Sequence, residues 1–231
     1  MDAADERESA RVVVVGDVVT SRRFVDERQL LIGLRGALEH VNGAVAAASP
    51  LALVERDQFH GVYGELGAAA AAVLRLRLAT DDLILPTSDG VDEPVELRLG
   101  IGIGVSDTAA GHPTGSAWRH ARDARQAAQT LPSKHSWPAS LRSACRADDT
   151  TIQATMTAYL LLQDQLLARL DARDRRALIG TLNGERQVDI AAALGVTQPA
   201  IARRLRDRGA LAIHRALQAL QPHTDAHGAV R

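Results

Sequence analysis

Two aspartates at the predicted ends of strands, Asp17 and Asp57, could together hold a metal ion. Asp17 follows the apolar run at residues 11–16, which is typical of a buried strand, and Asp57 lies in a polar turn between short predicted strands at residues 51–55 and 59–63. Two carboxylates that converge at one sheet edge suit Mg²⁺, an ion that prefers oxygen ligands and is often completed by substrate phosphates. Asp17 has an alternative role as a helix cap or turn residue.

The elements around these aspartates predict how they are positioned. Helical periodicity covers residues 24–42 and 65–79, a strictly alternating strand covers 95–105, and a further helix is predicted over 117–130. The order βαββαβ indicates an α+β fold of the ferredoxin-like, split βαβ type, with an antiparallel sheet and helices on one face. In this topology the exit of the first strand and the central hairpin turn share one edge, so we expect Asp17 and Asp57 to be neighbours.

Other residues of chemically active types have simpler interpretations. Gly100, Gly102 and Gly104 alternate within a predicted strand, which favours close approach of a helix or a ligand, since no helix follows at once as a phosphate loop would need. The single cysteine, Cys145, excludes an internal disulfide and is interpreted as a structural thiol. Three histidines lack metal-ligand spacing and are expected at packing or solvent positions: His60, His112 and His120.

The last third of the chain has the pattern of a helix-turn-helix. The segment QVDIAAALGVTQPAIARRLRDR, residues 187–208, places apolar residues on the facing sides of two short predicted helices, with Gly195 in the turn between them. Thr197 is a suitable N-cap for the second helix. An ordinary α-hairpin with a solvated basic face is the alternative. If the second helix enters a major groove, its candidate DNA-binding residues are Thr197, Gln198, Pro199, Arg203, Arg204 and Arg206.

The charge distribution and the turn-forming residues divide the chain. Residues 150–231 carry eleven arginines and seven acidic residues, whereas the remainder has an acidic excess. We predict a flexible N-terminus at residues 1–10, a palm-like domain at 11–130, a Pro- and Ser-containing linker at 131–149, a helical domain at 150–221 and a flexible tail at 222–231. A stripe on the long helix after the linker is suited to packing or to a dimer seam: Met156, Tyr159, Leu160, Gln163 and Leu167. Without a signal-like N-terminus or a membrane-length apolar run, a cytoplasmic location without membrane contact is expected.

Two parts of the chain resemble known families. The segments VVVVGDVVTSRR, ERDQFHGVYG, LRLGIGIG and GSAWRHARDA, in this order, resemble the SatD family of small bacterial proteins and, more distantly, the palm domain of nucleotidyl cyclases and GGDEF diguanylate cyclases. The C-terminal segment resembles the DNA-reading tri-helix of bacterial repressors and of sigma-factor region four. The first resemblance implies a site for Mg²⁺ with a nucleotide, in which the metal carboxylates are Asp17 and Asp57.

The same resemblance implies phosphate-binding residues. Thr20 and Ser21, in the loop that enters the first helix, would face the phosphates of a nucleotide. Arg119 and Arg122, on the helix after the glycine-containing strand, would neutralise phosphate charge. On the residues alone, these two arginines have the alternative role of surface partners for nearby acidic side chains.

Together these features predict a sequence-specific DNA-binding transcriptional regulator that acts as a homodimer on double-stranded DNA. Its palm-like domain would dimerise, sense a nucleotide ligand, or do both, and no catalytic residue is assigned. A metal-dependent nucleotidyl cyclase or nucleotidyltransferase with a regulatory helix-turn-helix is the alternative. Asp17 and Asp57 favour that enzyme, whereas Arg56 in place of a hairpin glycine and the lack of a cyclase asparagine count against it. A third interpretation is an adaptor whose helix-turn-helix does not contact DNA.

Overall fold

A computed structural model describes residues 10–106 and 114–221 and divides the chain into two compact units, residues 1–161 and 162–231. His112, the predicted flexible segment before residue 10 and the predicted tail after residue 221 lie outside the described residues. The fold is mixed α+β, with the sheet in the first unit.

The first unit follows the predicted order of strands and helices and adds to it. Its elements are β1 Ala10–Val18, α1 Glu27–Ala44, β2 Ser49–Glu55, β3 Gln58–Tyr63, α2 Leu66–Asp81, β4 Ile84–Pro86, β5 Asp92–Pro94, β6 Leu97–Val105, α3 Ser116–Thr130 and β7 Ser143–Ala147, and α4 Thr150–Leu167 continues into the second unit. The main sheet has the order β2-β3-β1-β6-β7, and β1 is antiparallel to both β3 and β6. Strands β2, β3, β1 and β6 therefore lie side by side in the order of a split βαβ fold.

Two features of this sheet differ from the sequence-based prediction. Residues 143–147, inside the predicted linker at 131–149, form the edge strand β7, which pairs in parallel with β6. The segment was mistaken for a linker because its prolines and serines precede only five strand residues. In addition, β4 and β5 form a small separate hairpin that the sequence analysis did not predict.

The sheet is covered on both faces, whereas the sequence predicted helices on one face. Val13 and Val15 of β1 form a buried cluster with Trp118 and Ala121 of α3. The residues between them, such as Val14, are equally buried, and side chains alternate along a strand. The second face is therefore also covered, and α2, which packs on α1, contacts β1, β3 and β6.

Close packing of α3 explains the alternating glycines of β6. A Cβ placed on Gly100 would lie 2.1 Å from the carbonyl oxygen of Ala121, and one on Gly102 would lie 2.0 Å from that of Ala117. Real Cβ atoms do not approach backbone atoms so closely. Of the two roles that the sequence allowed for these glycines, the structure shows helix packing.

The second unit consists of short helices, α5 Ala172–Leu182, α6 Gln187–Leu194, α7 Gln198–Asp207 and α8 Ala210–Ala219, which contact one another. Gly195 ends α6 in the left-handed conformation, at φ 65°, as the turn requires. Thr197 occupies the N-cap position of α7, but its side chain makes no capping hydrogen bond. Buried apolar residues join the helices, among them Ala177, Leu178, Ile190, Ala191, Ile201, Leu205 and Ile213.

The apolar stripe of α4 is buried within the chain. All five residues that the sequence analysis offered for packing or for a dimer seam are at most 9% exposed. Side chains with so little accessible surface are occupied by contacts within the chain, so the stripe serves internal packing.

No helix in the described ranges has the length and apolar character needed to cross a membrane.

Candidate functional site

The exit of β1 and the β2–β3 hairpin meet at one edge of the sheet, as the topology predicted. Gly16 of β1 lies opposite Phe59 of β3, which places Asp17 and the hairpin turn next to each other. Burial is the main cause that raises the pKa of Asp17, and the charge of the nearby Asp57 adds a smaller contribution. Their orientations nevertheless differ, because Asp17 shares the strand face of Val13 and Val15, which α3 covers.

Asp17 is held by two arginines on that face. Its Oδ2 atom lies 3.2 Å from a guanidinium nitrogen of Arg125 on α3 and 3.6 Å from one of Arg98, its cross-strand neighbour on β6. Burial raises the pKa of Asp17, and the charges of Arg125 and Arg98 partly oppose this rise. The Oδ1 atom is buried and has no hydrogen-bond partner among the residues that the structure describes.

The residues at this edge fit a divalent cation poorly. A cation that bound Asp17 would face the guanidinium groups of Arg98 and Arg125, which already neutralise the carboxylate. Within residues 10–106 and 114–221, no group of three or more His, Cys, Asp or Glu side chains is arranged to hold a metal ion. The arrangement therefore gives no support to a magnesium site formed by Asp17 and Asp57.

A cleft of about 490 Å³ lies on the other side of the hairpin turn, and Asp57 lines it. Its lining combines apolar side chains with two basic and two acidic ones and is formed by Ser21, Arg22, Phe24, Val25, Glu27, Leu30, Leu31, Arg56 and Asp57. This volume is within the range of small-molecule sites, which combine apolar walls with a few polar groups. The structure thus places the predicted residue Ser21 in the cleft, while Thr20 is exposed beside it and is not part of the lining.

The loop between β1 and α1, which forms much of this cleft, is fixed by the β4–β5 hairpin. Arg23 binds Asp89 at 2.9 Å and Glu93 at 3.0 Å, and its carbonyl oxygen accepts a hydrogen bond from the backbone nitrogen of Ser88. Val25 donates a further backbone hydrogen bond to Pro86. The hairpin that sequence analysis missed therefore holds the loop that carries Ser21 and Arg22.

The two arginines predicted to bind phosphate do not line the cleft. Arg119 and Arg122 are exposed on α3, and α3 covers the sheet face opposite to that of α1 and α2. The arginine of α3 that reaches the strand edge is Arg125. Its position could have been found in the sequence, because residues 117, 121 and 125 follow one another at helical spacing along the stripe that packs on the glycines of β6.

Arg56 occupies an unfavourable backbone conformation at the hairpin turn. Its φ of 45° lies in the left-handed region, which costs a residue with a side chain about 1–2 kcal/mol. Arg56 also lines the cleft, so the chain places a cation at a position that a glycine would occupy with less strain.

We expect Arg56→Gly to raise the free energy of unfolding of the first unit by about 0.5–1 kcal/mol, because the strain is relieved. Urea unfolding followed by tryptophan fluorescence measures this unit, since both tryptophans, Trp118 and Trp137, belong to it. Arg22→Ala removes a charge from the same cleft without relieving a positive φ and is the matched control. A lower stability for Arg56→Gly than for the wild type would contradict the assignment of strain.

The remaining candidate side chains of the first unit have packing roles. His60 contacts the edge of Trp118 at 4.8 Å between ring centroids, and burial lowers its pKa. His120 uses Nδ1 to contact the carbonyl oxygen of Ile103 at 2.9 Å. Burial raises the pKa of the Cys145 thiol to about 12, which makes it a poor nucleophile at neutral pH.

In the second unit, one face of α7 is exposed and carries most of the predicted DNA-binding residues. Pro199, Arg203 and Arg206 recur at helical spacing on this face, and Thr197 and Gln198 are exposed at its N-terminal end. Ile201 and Leu205 point to the opposite side and are buried. The two faces of α7 are thus cleanly separated into packing and solvent sides.

Arg204 is the exception, because its side chain binds acidic residues of α5 within the second unit. Its Nε donates a hydrogen bond of 2.8 Å to Asp174, whose side chain is 1% exposed, and its Nη2 binds Asp171. These two aspartates also form the capping box of α5. The guanidinium of Arg204 is therefore committed to joining α7 to α5, and its prediction as a DNA contact is corrected.

The fold and site define a class of architecture: a split βαβ unit with a cleft at the β1 exit, followed by a helical unit. No protein-family model and no curated protein matches the sequence. Among solved structures, the chain is similar to the GGDEF domain of DgcB from Caulobacter crescentus in complex with c-di-GMP, with 16% identity over 55% of this chain and 75% of that chain and a TM-score of 0.41.

Two further structures are similar over about half of this chain. The GGDEF domain of FimX from Pseudomonas aeruginosa has 19% identity over 54% of this chain and 79% of that chain, with a TM-score of 0.38. The catalytic core of a rhodopsin-guanylyl cyclase in complex with ATPαS has 18% identity over 52% of this chain and 72% of that chain, with a TM-score of 0.37.

Proposed function

We propose that the chain is a DNA-binding transcriptional regulator. Its second unit would bind duplex DNA through α7, and its first unit would bind a nucleotide in the cleft without converting it. The observation that carries the proposal is the exposed face of α7, on which Gln198, Arg203 and Arg206 are free of interior contacts. Thr197 extends this face at the N-terminal end of the helix.

The local geometry supports α7 as a recognition helix. Its N-terminal residues are exposed, which is the part of such a helix that contacts base edges. Arg203 carries no ion pair in the described part of the chain, so its guanidinium is available for a base or a phosphate. The contact of Arg204 with α5 fixes the helix without using this face.

We expect Arg203→Ala to lower DNA affinity by about 1–3 kcal/mol, or about 5- to 150-fold. Fluorescence anisotropy with duplexes selected from genomic DNA measures the change at fixed salt. Arg215→Ala, which removes an exposed arginine from α8, is the matched control and should have a smaller effect. If Arg203 reads a base, specificity is lost with affinity, whereas a phosphate contact weakens binding to all sequences alike. Unchanged binding of Arg203→Ala would contradict the role of α7.

The chemistry of the cleft supports a nucleotide as the ligand of the first unit. Phe24, Leu30 and Leu31 offer an apolar wall suited to a base, and Arg22 and Arg56 offer guanidinium groups suited to phosphates. These two arginines of the cleft, Arg22 and Arg56, supply positive charge that a metal ion would otherwise provide. We therefore expect binding that does not depend on Mg²⁺.

Calorimetry of the full chain with GTP, ATP and cyclic dinucleotides tests this site. We expect at least one of them to bind in the presence of EDTA, and Arg56→Gly to weaken its binding because a cleft cation is lost. Arg119→Ala, on the far face of the sheet, should bind as the wild type does. Absence of binding by every nucleotide would show that the first unit is a scaffold only.

A metal-dependent nucleotidyl cyclase or nucleotidyltransferase is the second candidate function. The observation that favours it is the Oδ1 atom of Asp17, which is buried beside Asp57 without a hydrogen-bond partner in the described residues. The ion pairs of Asp17 with Arg98 and Arg125 count against it. Conversion of GTP or ATP by the wild type, lost in Asp17→Asn, would establish the enzyme; no conversion would leave a ligand-binding domain.

A further inference from the structure

A small cavity lies beside β7 in the first unit and has a volume of about 160 Å³. Residues of three parts of the chain line it: β7 itself, the segment 131–141 that follows α3, and the part of α4 that belongs to the first unit. None of these residues lines the cleft at the hairpin. The cavity is therefore a separate candidate site.

The walls of this cavity are fixed by contacts within the first unit. Strand β7 pairs along its length with β6. Arg142, immediately before β7, binds Glu96 through Nε at 2.9 Å and Nη2 at 2.7 Å, and its Nη1 donates to the carbonyl oxygen of Ala139 at 2.8 Å. The backbone nitrogen of Trp137 donates to the carbonyl oxygen of Lys134 at 2.9 Å. Walls that are already in place lower the ordering cost of binding a ligand.

The lining of the cavity is mainly apolar. Its large apolar side chains are Leu131, Trp137, Leu141 and Leu161. Cys145 also lines the cavity, and burial raises the pKa of its thiol to about 12, so the thiol is uncharged at neutral pH. The hydroxyl of Thr157 is engaged, because it donates to the carbonyl oxygen of Gln153 at 2.7 Å. An apolar ligand suits this surface better than water, which needs about two to four polar partners.

Arg146 is the one charged residue in the lining, among the residues that the structure describes. Its Nη1 donates to the carbonyl oxygen of Cys145 at 3.3 Å, which holds the guanidinium beside β7. No acidic side chain lies within ion-pair distance of Arg146 in residues 10–106 and 114–221. A guanidinium without an acidic partner, next to an apolar surface, suits a carboxylate, which it can bind through two hydrogen bonds.

We propose that this cavity binds a small monocarboxylate with a compact apolar body, which contacts Trp137 and Leu161 while its carboxylate binds Arg146. The volume sets the size of the ligand, because a cavity of about 150 Å³ accepts a molecule such as benzene. Larger ligands of drug or nucleotide size need about 300 Å³ or more. The site goes beyond the proposed DNA and nucleotide functions and does not depend on them.

Nitrogen-15 NMR of the 231-residue chain, titrated separately with benzoate and 3-methylbutanoate, tests this site. The chain has two tryptophans and so two indole N–H signals, which Trp137→Phe assigns. We expect at least one of the two acids to shift the Trp137 signal saturably. The signal of Trp118, which packs on β1, should stay unchanged. The amide of the same acid has a similar shape but no charge and should bind at least about tenfold more weakly.

A substitution in the lining tests the role of the guanidinium. Arg146→Gln removes the charge and should weaken binding of the acid at least about tenfold, while binding of the amide stays unchanged. Retained binding of the amide shows that the cavity is intact in this variant, and circular dichroism verifies that it is folded. Arg122→Gln removes an exposed charge from α3 and is the matched control, which should bind the acid as the wild type does.

Each contrary outcome is measurable. Failure of both acids to shift the Trp137 signal at about 10 mM would overturn the proposal. Equal binding of acid and amide, or unchanged binding of the acid by Arg146→Gln, would also overturn it, since the carboxylate would then not bind Arg146. A shift of the Trp118 signal without one of Trp137 would place the acid outside this cavity. Because no probe is a nucleotide or DNA, all these outcomes leave the proposed function standing.

Discussion

Gly102→Ala is expected to destabilise the first unit by about 3 kcal/mol, at the upper end of the usual cost of overpacking. The added methyl would lie 2.0 Å from the carbonyl oxygen of Ala117 and 2.2 Å from the backbone nitrogen of Ala121. Both contacts are with the backbone of α3, so no side-chain rotation relieves them. The helix must move off the sheet, which also displaces Arg125 from Asp17.

Urea unfolding followed by tryptophan fluorescence measures this loss in the unit that contains both tryptophans. Gly43→Ala, in α1, is the matched control because no atom lies within 4 Å of its Cβ position and its φ is not positive. That substitution should be neutral or stabilising by up to about 1 kcal/mol, as expected for alanine in a helix. Equal effects of the two substitutions would contradict close packing of α3 on β6.

Arg204→Ala is expected to destabilise the second unit by about 3 kcal/mol. It leaves the buried carboxylate of Asp174 without its cation, and an unpaired buried charge is costly. We place the value at the low end of the range for broken buried pairs because a quarter of the Arg204 side chain is exposed. The capping box of α5 also loses the guanidinium that joins it to α7.

The chain permits a selective measurement of this effect. Residues 162–231 contain no Phe, Trp or Tyr, so unfolding of the second unit changes circular dichroism without a direct change in tryptophan fluorescence. We expect Arg204→Ala to shift the circular dichroism transition alone. Arg203→Ala, its exposed neighbour, should change stability by less than about 0.5 kcal/mol. A stable Arg204→Ala protein with lost DNA binding would restore Arg204 as a DNA contact.

Low pH should weaken the contact between Arg204 and Asp171. The backbone N–H of Asp174 and the guanidinium of Arg204 lower the pKa of Asp171 below its ordinary value of 3.8. The stabilising contribution of Asp171 is therefore complete above that ordinary value and is lost as the pH falls through the lower pKa of the folded state. The difference in stability between wild type and Arg204→Ala should accordingly shrink below about pH 4, as followed by circular dichroism.

Much of the fold could be predicted from local pattern. Strand alternation and helical period identified the elements from β1 to α3, and Gly195 identified the turn before α7. The strand β7 and the β4–β5 hairpin could not be predicted as readily, since they have five residues or fewer per strand. Short strands contain too few alternations to show a period, and their pairing depends on residues distant in sequence.

In the candidate site, local sequence pattern does not predict which side chains contact each other. Topology correctly placed Asp17 beside the hairpin, but alternation along β1 turns its side chain towards α3, and only the packing of α3 identifies Arg125 as its partner. Arg204 shows the same difficulty, because a basic residue on a helix is equally consistent with solvent, DNA or a buried acid. Asp174, thirty residues away, decides which of these it contacts.

Selection of genomic DNA fragments by the purified 231-residue chain tests the central proposal most directly. At low salt we expect the wild type to enrich a limited set of fragments that share a sequence, and Arg203→Ala to lose that enrichment while its unfolding transition is unchanged. The salt dependence of binding should show that phosphate contacts contribute to affinity. Failure of the wild type to retain any fragment at low salt would contradict the proposal that α7 reads DNA.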